Sequence, residues 1–273
     1  MRFVAQLVAV VFCILSPNVV VAQNNTAQQL YDALHMDILV EVIVSEGQEQ
    51  VKDAAELYLS GRAIKVFIDQ NRNLYQPSVI KERLIKGLDV GMTADQRSIA
   101  LAFFQTETGS LAAELEATAR QAISDQAIED HAKAMVANAE KNKEARVTEL
   151  ADAIEKMGLI DMNLAGAMTA QYHFLMPLAK VDALGLNQAE ILNMIQEGQE
   201  EIIDNITTWL MAFTYMAYTP LGDEQLTTYL SYQMSENGAA LNSALFDAFN
   251  GIDRDMSAAM GLALAQALQS QEL

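Results

Sequence analysis

A stretch of seventeen residues occurs twice in this chain, and in both places it reads as a helix that stops and at once begins again. Residues 93–109 and 222–238 align with Gly109 on Gly238, making Gln96/Gln225, Leu101/Leu230, Glu107/Glu236 and Gly109/Gly238 identical. Asp95/Glu224, Ser98/Thr227, Phe103/Tyr232 and Thr106/Ser235 keep their chemistry. These matches fall on helix punctuation. Thr93 and Gln96 have capping-box spacing, in which hydroxyl and amide satisfy each other's orphan backbone donors. Thr106 can cap a new helix, Glu107 stands in its first turn where the macrodipole favours an anion, and Gly109 leaves room for close approach. Ser235, Glu236 and Gly238 repeat that grammar. A chain with two such corners has to be built from helices that pack against one another.

The rest of the sequence agrees. Ala, Leu, Met, Glu and Gln dominate, only four prolines occur, and no run alternates with period two over a convincing length. Leu39–Val44 is the one strand-like stretch, and its flanks are helical in pattern, so it reads as buried helix. The spacing predicts a helix capped by Thr26 through Leu34, a second from near Asp37 that weakens at Gly47, and a third from about Glu49 to Gln70. Pro77 suits the first turn of another that ends near Gly91. Ile99, Phe103 and Phe104 are expected to line one side of the helix before the first corner. Leu111, Leu115 and Ala119 continue that side beyond it, as Leu241, Leu245 and Phe249 do beyond the second.

Between the corners, Ser124 opens a charged helix to about Glu140, and Lys141–Met157 forms another that Gly158 can end. Ile191, Ile195, Ile202, Ile206, Trp209 and Phe213 follow helical spacing and predict one long central helix over Asn187–Tyr218, with Trp209 in the core. Met162–Ala179 and Ile206–Gly222 are uncharged and approach the length of membrane spans, but their polar residues, His173 and Thr214 among them, favour core. The fold class expected is all-α: a bundle of about ten helices with two pseudo-repeated halves sharing one core, in a single domain over residues 23–273.

Residues 1–22 read as a secretory signal peptide rather than as fold: Arg2, an apolar run over Phe3–Leu15, Pro17, then Val20-Val21-Ala22 before a cut at Gln23. Cleavage removes Cys13, the only cysteine, so a core and not disulfides must hold the mature chain in an oxidising compartment. The formal charge of −19 becomes −20 when Arg2 is lost. A surface this acidic repels nucleic acid and anionic headgroups. The basic residues gather in one cluster, Arg62, Lys65, Arg72, Lys81, Arg83 and Lys86, which reads as a solvated face paired with the acidic remainder. Beyond Lys180 only Arg254 is basic, against thirteen acids.

Catalytic patterns are sparse. His35, His131 and His173 fall on different predicted helices, and none sits in a Glu-x-x-His or His-Glu-x-x-His run. Asp69–Asn73 imitates the opening of a calcium loop, but Leu74 stands where the turn needs Gly and Ile80 where the bidentate Glu belongs. No phosphate loop, dinucleotide fingerprint or Gly-x-Ser-x-Gly elbow occurs. No catalytic, cofactor-binding or metal-ligating residue is assigned; Glu107 and Glu236 are the first carboxylates to examine, and helix-start roles explain both.

Phe-Phe-x-Thr-Glu-x-Gly at 103–109 and Ser-Tyr-x-x-Ser-Glu-x-Gly at 231–238 resemble the signature of the domain-of-unknown-function 2059 family, an aromatic helix end followed by Ser-Pro-x-Gly-x-x-Leu. Phe103, Thr106, Glu107 and Gly109 match it once. Tyr232, Ser235, Glu236 and Gly238 match it again, with Leu241 also in place. Both copies put Glu where the family usually has Pro, and either residue suits a first helical position. The segments 205–210 and 217–221 are similar to a longer, two-copy branch of that family in Gram-negative bacteria. The resemblance implies a helical protein exported to the periplasm and no activity, since the family has no established biochemical role.

Three functions stay open on the sequence. The first is a non-catalytic binding or scaffolding protein of the cell envelope, whose partner would be an envelope protein and not nucleic acid. The second is a hydrolase or metal-dependent enzyme with its site near the helix-restart corners. The third is an envelope protein associated with the membrane through one of the uncharged segments, although stable insertion is not expected after signal cleavage.

Overall fold

A computed structural model describes residues 18–181, 185 and 187–271 of the chain. Of the leader read over residues 1–22, residues 1–17 lie outside the described residues, and residues 18–22 belong to the first helix. Thirteen α-helices and no strand occur among the described residues: α1 Asn18–Ala33, α2 Met36–Tyr58, α3 Arg62–Asn71, α4 Pro77–Gly91, α5 Ala94–Phe104, α6 Glu107–Ala122, α7 Gln126–Lys141, α8 Ala145–Lys156, α9 Leu159–Lys180, α10 Gln188–Glu197, α11 Gln199–Tyr218, α12 Asp223–Gln233 and α13 Glu236–Gln271.

The count exceeds the ten or so expected: the predicted segments already number about twelve, and the break of the central helix at Gly198 adds one, while the break near Gly61 only moves a boundary. The third predicted helix is divided at Leu59–Gly61, where Gly61 takes a positive φ of 56°; its first part joins α2, which runs unbroken through buried Gly47. The central helix is interrupted only at Gly198, and the ladder runs on either side of it through Gly198 N–H to the Met194 carbonyl and Ile202 N–H to the Gly198 carbonyl, both 3.1 Å. The cap of α7 moves one residue, from Ser124 to Asp125, whose carboxylate accepts from Ala127 N–H at 2.8 Å and Ile128 N–H at 3.3 Å. Thr26 lies inside α1 rather than at its start. Pro77 opens α4, Gly158 ends α8 at φ 65°, and Leu39–Val44 is helix, as their patterns predict.

One apolar core takes at least one buried residue from each of the thirteen helices, from Ala27 in α1 to Ala265 in α13. The 36-residue α13 is its spine, packing chiefly on α9 and α4, while α11 packs on α6, α7 and α9. Both uncharged segments therefore serve the core: Leu175 and Leu178 of α9 and Ala212 and Tyr215 of α11 are buried. No helix of the described residues is long and apolar enough to cross a membrane. Part of the basic cluster pairs with acids as expected, Lys81 with Asp37 at 2.9 Å and Arg83 with Asp255 at 2.7 Å.

Candidate functional site: a cleft between the two corners

The corners have the same local geometry. Thr106 accepts from Gly109 N–H at 3.1 Å and donates its hydroxyl to the Phe103 carbonyl at 2.7 Å. Ser235 accepts from Gly238 N–H at 3.2 Å and donates to the Tyr232 carbonyl at 2.6 Å. That carbonyl also receives the backbone N–H of the capping residue, 2.9 Å in both corners. A Cβ on Gly109 would stand 2.2 Å from the Phe103 oxygen, and one on Gly238 would stand 2.2 Å from the Tyr232 oxygen. No side chain fits there, which is the reason for both glycines. The Thr93–Gln96 box closes at 3.2 and 2.9 Å. In the second corner Gln225 still accepts from Gly222 N–H at 3.1 Å, but glycine has no hydroxyl to answer it.

The corners also meet. Phe103 and Tyr232, at matching positions, stack with ring centroids 3.8 Å apart and planes 6° from parallel, and Phe104 stands edge-on to Tyr232 at 5.6 Å. Burial pushes the Tyr232 phenol up to about 12. Glu107 and Glu236 are exposed, and neither lines the cleft described below.

Guanidiniums brace both corners, and sequence reasoning missed this. Arg97, 2 % exposed, reaches back to the end of α4 and donates to the Asp89 and Met92 carbonyls, each at 2.5 Å, with the Asp89 carboxylate 3.2 Å away. It takes the buried place on α5, beside Ala100 and Phe104, that was expected for Ile99, which is largely exposed. With Gly109 on Gly238, Asp89 and Met92 fall on Tyr218 and Leu221. The carbonyls of those two residues are bound by Arg146 of α8, at 2.9 and 3.0 Å, together with the Asp223 carboxylate at 2.9 Å. Arg97 itself falls on Leu226, which is fully buried. The signal in the sequence was an arginine at a core position, four residues from Thr93 and three from Ala100.

Between α6 and α13, the helices that leave the two corners, lies a cleft of about 250 Å³. Matching positions face it in pairs: Glu116 with Leu245, Ala117 with Phe246, and Arg120 with Phe249. Trp209 and Phe213 of α11, stacked at 5.2 Å, form another wall. Trp209, expected in the core, is half-buried there and packs on Ile123, Ala132 and Ala212. This volume is near the lower end of small-molecule sites, about 300–1,000 Å³, and a mainly apolar lining with few converging polar groups is their usual composition.

The polar groups form a directed chain. The Asn242 amide donates to the Gln233 carbonyl oxygen at 3.5 Å, and the Gln233 amide donates to the Tyr229 hydroxyl. Tyr229 at 2.5 Å and Tyr218 both donate to Oε1 of Glu116. Burial pushes the Glu116 carboxyl up from its ordinary value, against the two phenols, whose hydrogen bonds pull it down. Burial, then the Glu116 charge, holds both phenols well above theirs. On the other side, Arg120 is already committed: it makes a two-pronged pair with Glu46 at 2.9 and 2.7 Å and lies 5.6 Å over the Trp209 ring. Glu116 was legible in principle. It falls at helical spacing among Gly109, Ala112, Ala113 and Ala117, all buried, so a charge there is out of place on a core stripe.

Among the described residues no group of three or more His, Cys, Asp or Glu could hold a metal ion. His35 sits at the start of α2 with φ 52°, His131 is exposed on α7, and His173 is half-buried edge-on to Tyr172. The calcium-like stretch is a helix end, where the Asn71 amide donates to the Phe67 carbonyl at 2.9 Å. Compared with protein families, curated proteins and solved structures, the chain matches none.

Proposed function

We propose that this is a non-catalytic binding protein exported to the periplasm, built of two pseudo-repeated halves and related to the domain-of-unknown-function 2059 family, with its ligand seat in the cleft between the halves. One observation carries the reading: an aromatic cleft between α6 and α13 ends on a hydrogen-bond chain that every donor directs at Glu116. A scaffold that only packed helices would gain more from an apolar seam, because burying a carboxylate costs free energy that two phenols must offset. The lining favours binding over catalysis. Among the described residues its one hydroxyl of nucleophile type, Thr214, is spent on the Leu210 carbonyl at 2.7 Å, and no histidine lines the cleft beside it.

The halves are supported by the matched corners, the matched carbonyls under the two guanidiniums, and the matched residues that face the cleft. Export rests on the leader-like residues 1–22, and the family on the two corner signatures.

Trp209 is the only tryptophan of the chain and stands on the cleft wall, so it reports on its own site. A seated ligand shifts its emission, and the protein recovered from a Gram-negative periplasm retains a small molecule visible by native mass spectrometry. Protein that carries no ligand and whose Trp209 emission is indifferent to periplasmic small-molecule extract would overturn the binding reading. Retention of the unprocessed leader in the cytoplasm would overturn export.

A further inference from the structure

We infer that the cleft selects a small organic ammonium ion with an aromatic or aliphatic body, its nitrogen held by the second carboxylate oxygen of Glu116 and its body by Trp209, Phe213, Phe246 and Phe249. This rests on the binding reading above and adds the chemistry of the ligand.

The first ground is hydrogen-bond direction. Tyr218 and Tyr229 both donate to Oε1, and Tyr229 is itself an acceptor for Gln233, which accepts from Asn242. Each link polarises the next toward the carboxylate. Both hydrogen bonds that the described residues make to Glu116 go to Oε1 and none goes to Oε2, while Glu116 lines the cleft. What the protein leaves unmade is therefore an acceptor, and the missing group is a donor. A charged donor makes the stronger bond to it.

The second ground is charge. Among the described residues the one cation on the lining is Arg120, and Glu46 takes both of its terminal nitrogens. The carboxylate form of Glu116, which burial disfavours and the two phenols support, is then matched by no free cation of the described lining. An anionic ligand would have to displace Glu46 from Arg120 and approach Glu116 as well. The third ground is the wall itself: aromatic faces attract ammonium ions through the ring quadrupole, and desolvation in a cleft strengthens that attraction.

The test uses three probes with one body and different heads: 2-phenylethylammonium, 2-phenylethanol and phenylacetate, titrated calorimetrically into the purified protein. The ammonium is expected to bind about tenfold or more tightly than the alcohol, and phenylacetate more weakly than either. Glu116→Gln keeps an acceptor for the two phenols; it is expected to erase the preference for ammonium while leaving alcohol binding within about threefold. Leu245→Trp, which fills the cleft, abolishes binding of all three. If the alcohol or phenylacetate binds as tightly as the ammonium and Leu245→Trp abolishes it, the ammonium inference is wrong and the binding cleft stands. If ammonium binding survives Leu245→Trp, it belongs to the acidic surface and the inference falls. Failure of all three probes to bind overturns the inference and the cleft reading together. The comparison of heads on the unaltered protein decides the matter even where a variant does not fold.

Discussion

The two corners fasten the same pair of backbone carbonyls with arginines that arrive from different places. In the first, Arg97 belongs to the corner's own helix α5 and is sealed from solvent at 2 % exposure. In the second, Arg146 comes across from α8, keeps 19 % of its side chain exposed, and pairs with an Asp223 that stands fully in water. The lesson concerns what a repeated backbone feature demands. Carbonyls at the end of a helix that turns sharply have no intrahelical partner, so something must donate to them. Which residue does so is free to differ. Leu226 can sit where Arg97 would be because Arg146 has taken over the donation.

That difference is open to attack, and Arg97→Met should do the most damage. It strands buried carbonyls at Leu88, Asp89 and Met92, so unfolding free energy is expected to fall by about 3–5 kcal/mol in urea titrations. A loss under about 1 kcal/mol would mean that water reaches those carbonyls and the first corner is no more sealed than the second. Gly109→Ala and Gly238→Ala come next. Each forces a Cβ against a fixed carbonyl, which helix propensity offsets by roughly 1 kcal/mol, for a net cost of about 2 kcal/mol at either corner. Unequal costs would show that only one corner is rigid. Arg146→Met should cost about 1–2 kcal/mol, because water can replace a half-open donor. Were it to match Arg97→Met, the contrast drawn above would be lost. Thr106→Ala and Ser235→Ala, read by thermal melting, should each cost about 1 kcal/mol, the ordinary worth of an N-cap.

The subtlest effect is a slope. Glu116 occupies the place that Leu245 holds on the other helix, and burial raises its carboxyl above the ordinary 4.5. Between the unfolded and folded values the native state holds more protons than the unfolded chain. Its contribution is therefore most favourable below 4.5 and is lost as pH rises through the folded value. Glu116→Gln should flatten that part of the stability–pH curve, measured as the difference from the unaltered protein. An unchanged curve would mean the carboxylate is better solvated than its surroundings imply.

The sequence exposed what local bonds decide. Thr106 with Gly109 and Ser235 with Gly238 are three residues apart, so cap, acid and glycine could be read directly, as could Pro77 and Gly158. It concealed what distant partners decide. Trp209 packs on a buried cluster, as its spacing suggested, and helical spacing alone could not show that it also borders a cleft. Arg97 and Glu116 stood on core stripes and went unread, because their partners lie on other helices: Tyr218 and Tyr229 are more than a hundred residues from Glu116. The breaks at Gly61 and Gly198 were blurred for a related reason, since apolar periodicity carries across a short interruption when both sides pack on the same core. The first break shifted a helix boundary and the second added a helix to the count.

Arg146 also sets an order of assembly. Arg97 meets its carbonyls across five to nine residues of chain, so that corner can close as soon as α5 forms. Arg146 precedes its acceptors by 72 to 77 residues and must wait until α11 and α12 exist. Closing the longer loop costs about 2 kcal/mol more in chain entropy, and long-range contacts are slower to form. The hydrogen bonds of the first corner can therefore close before those of the second, although α4 and α5 are covered only once α13 packs on them.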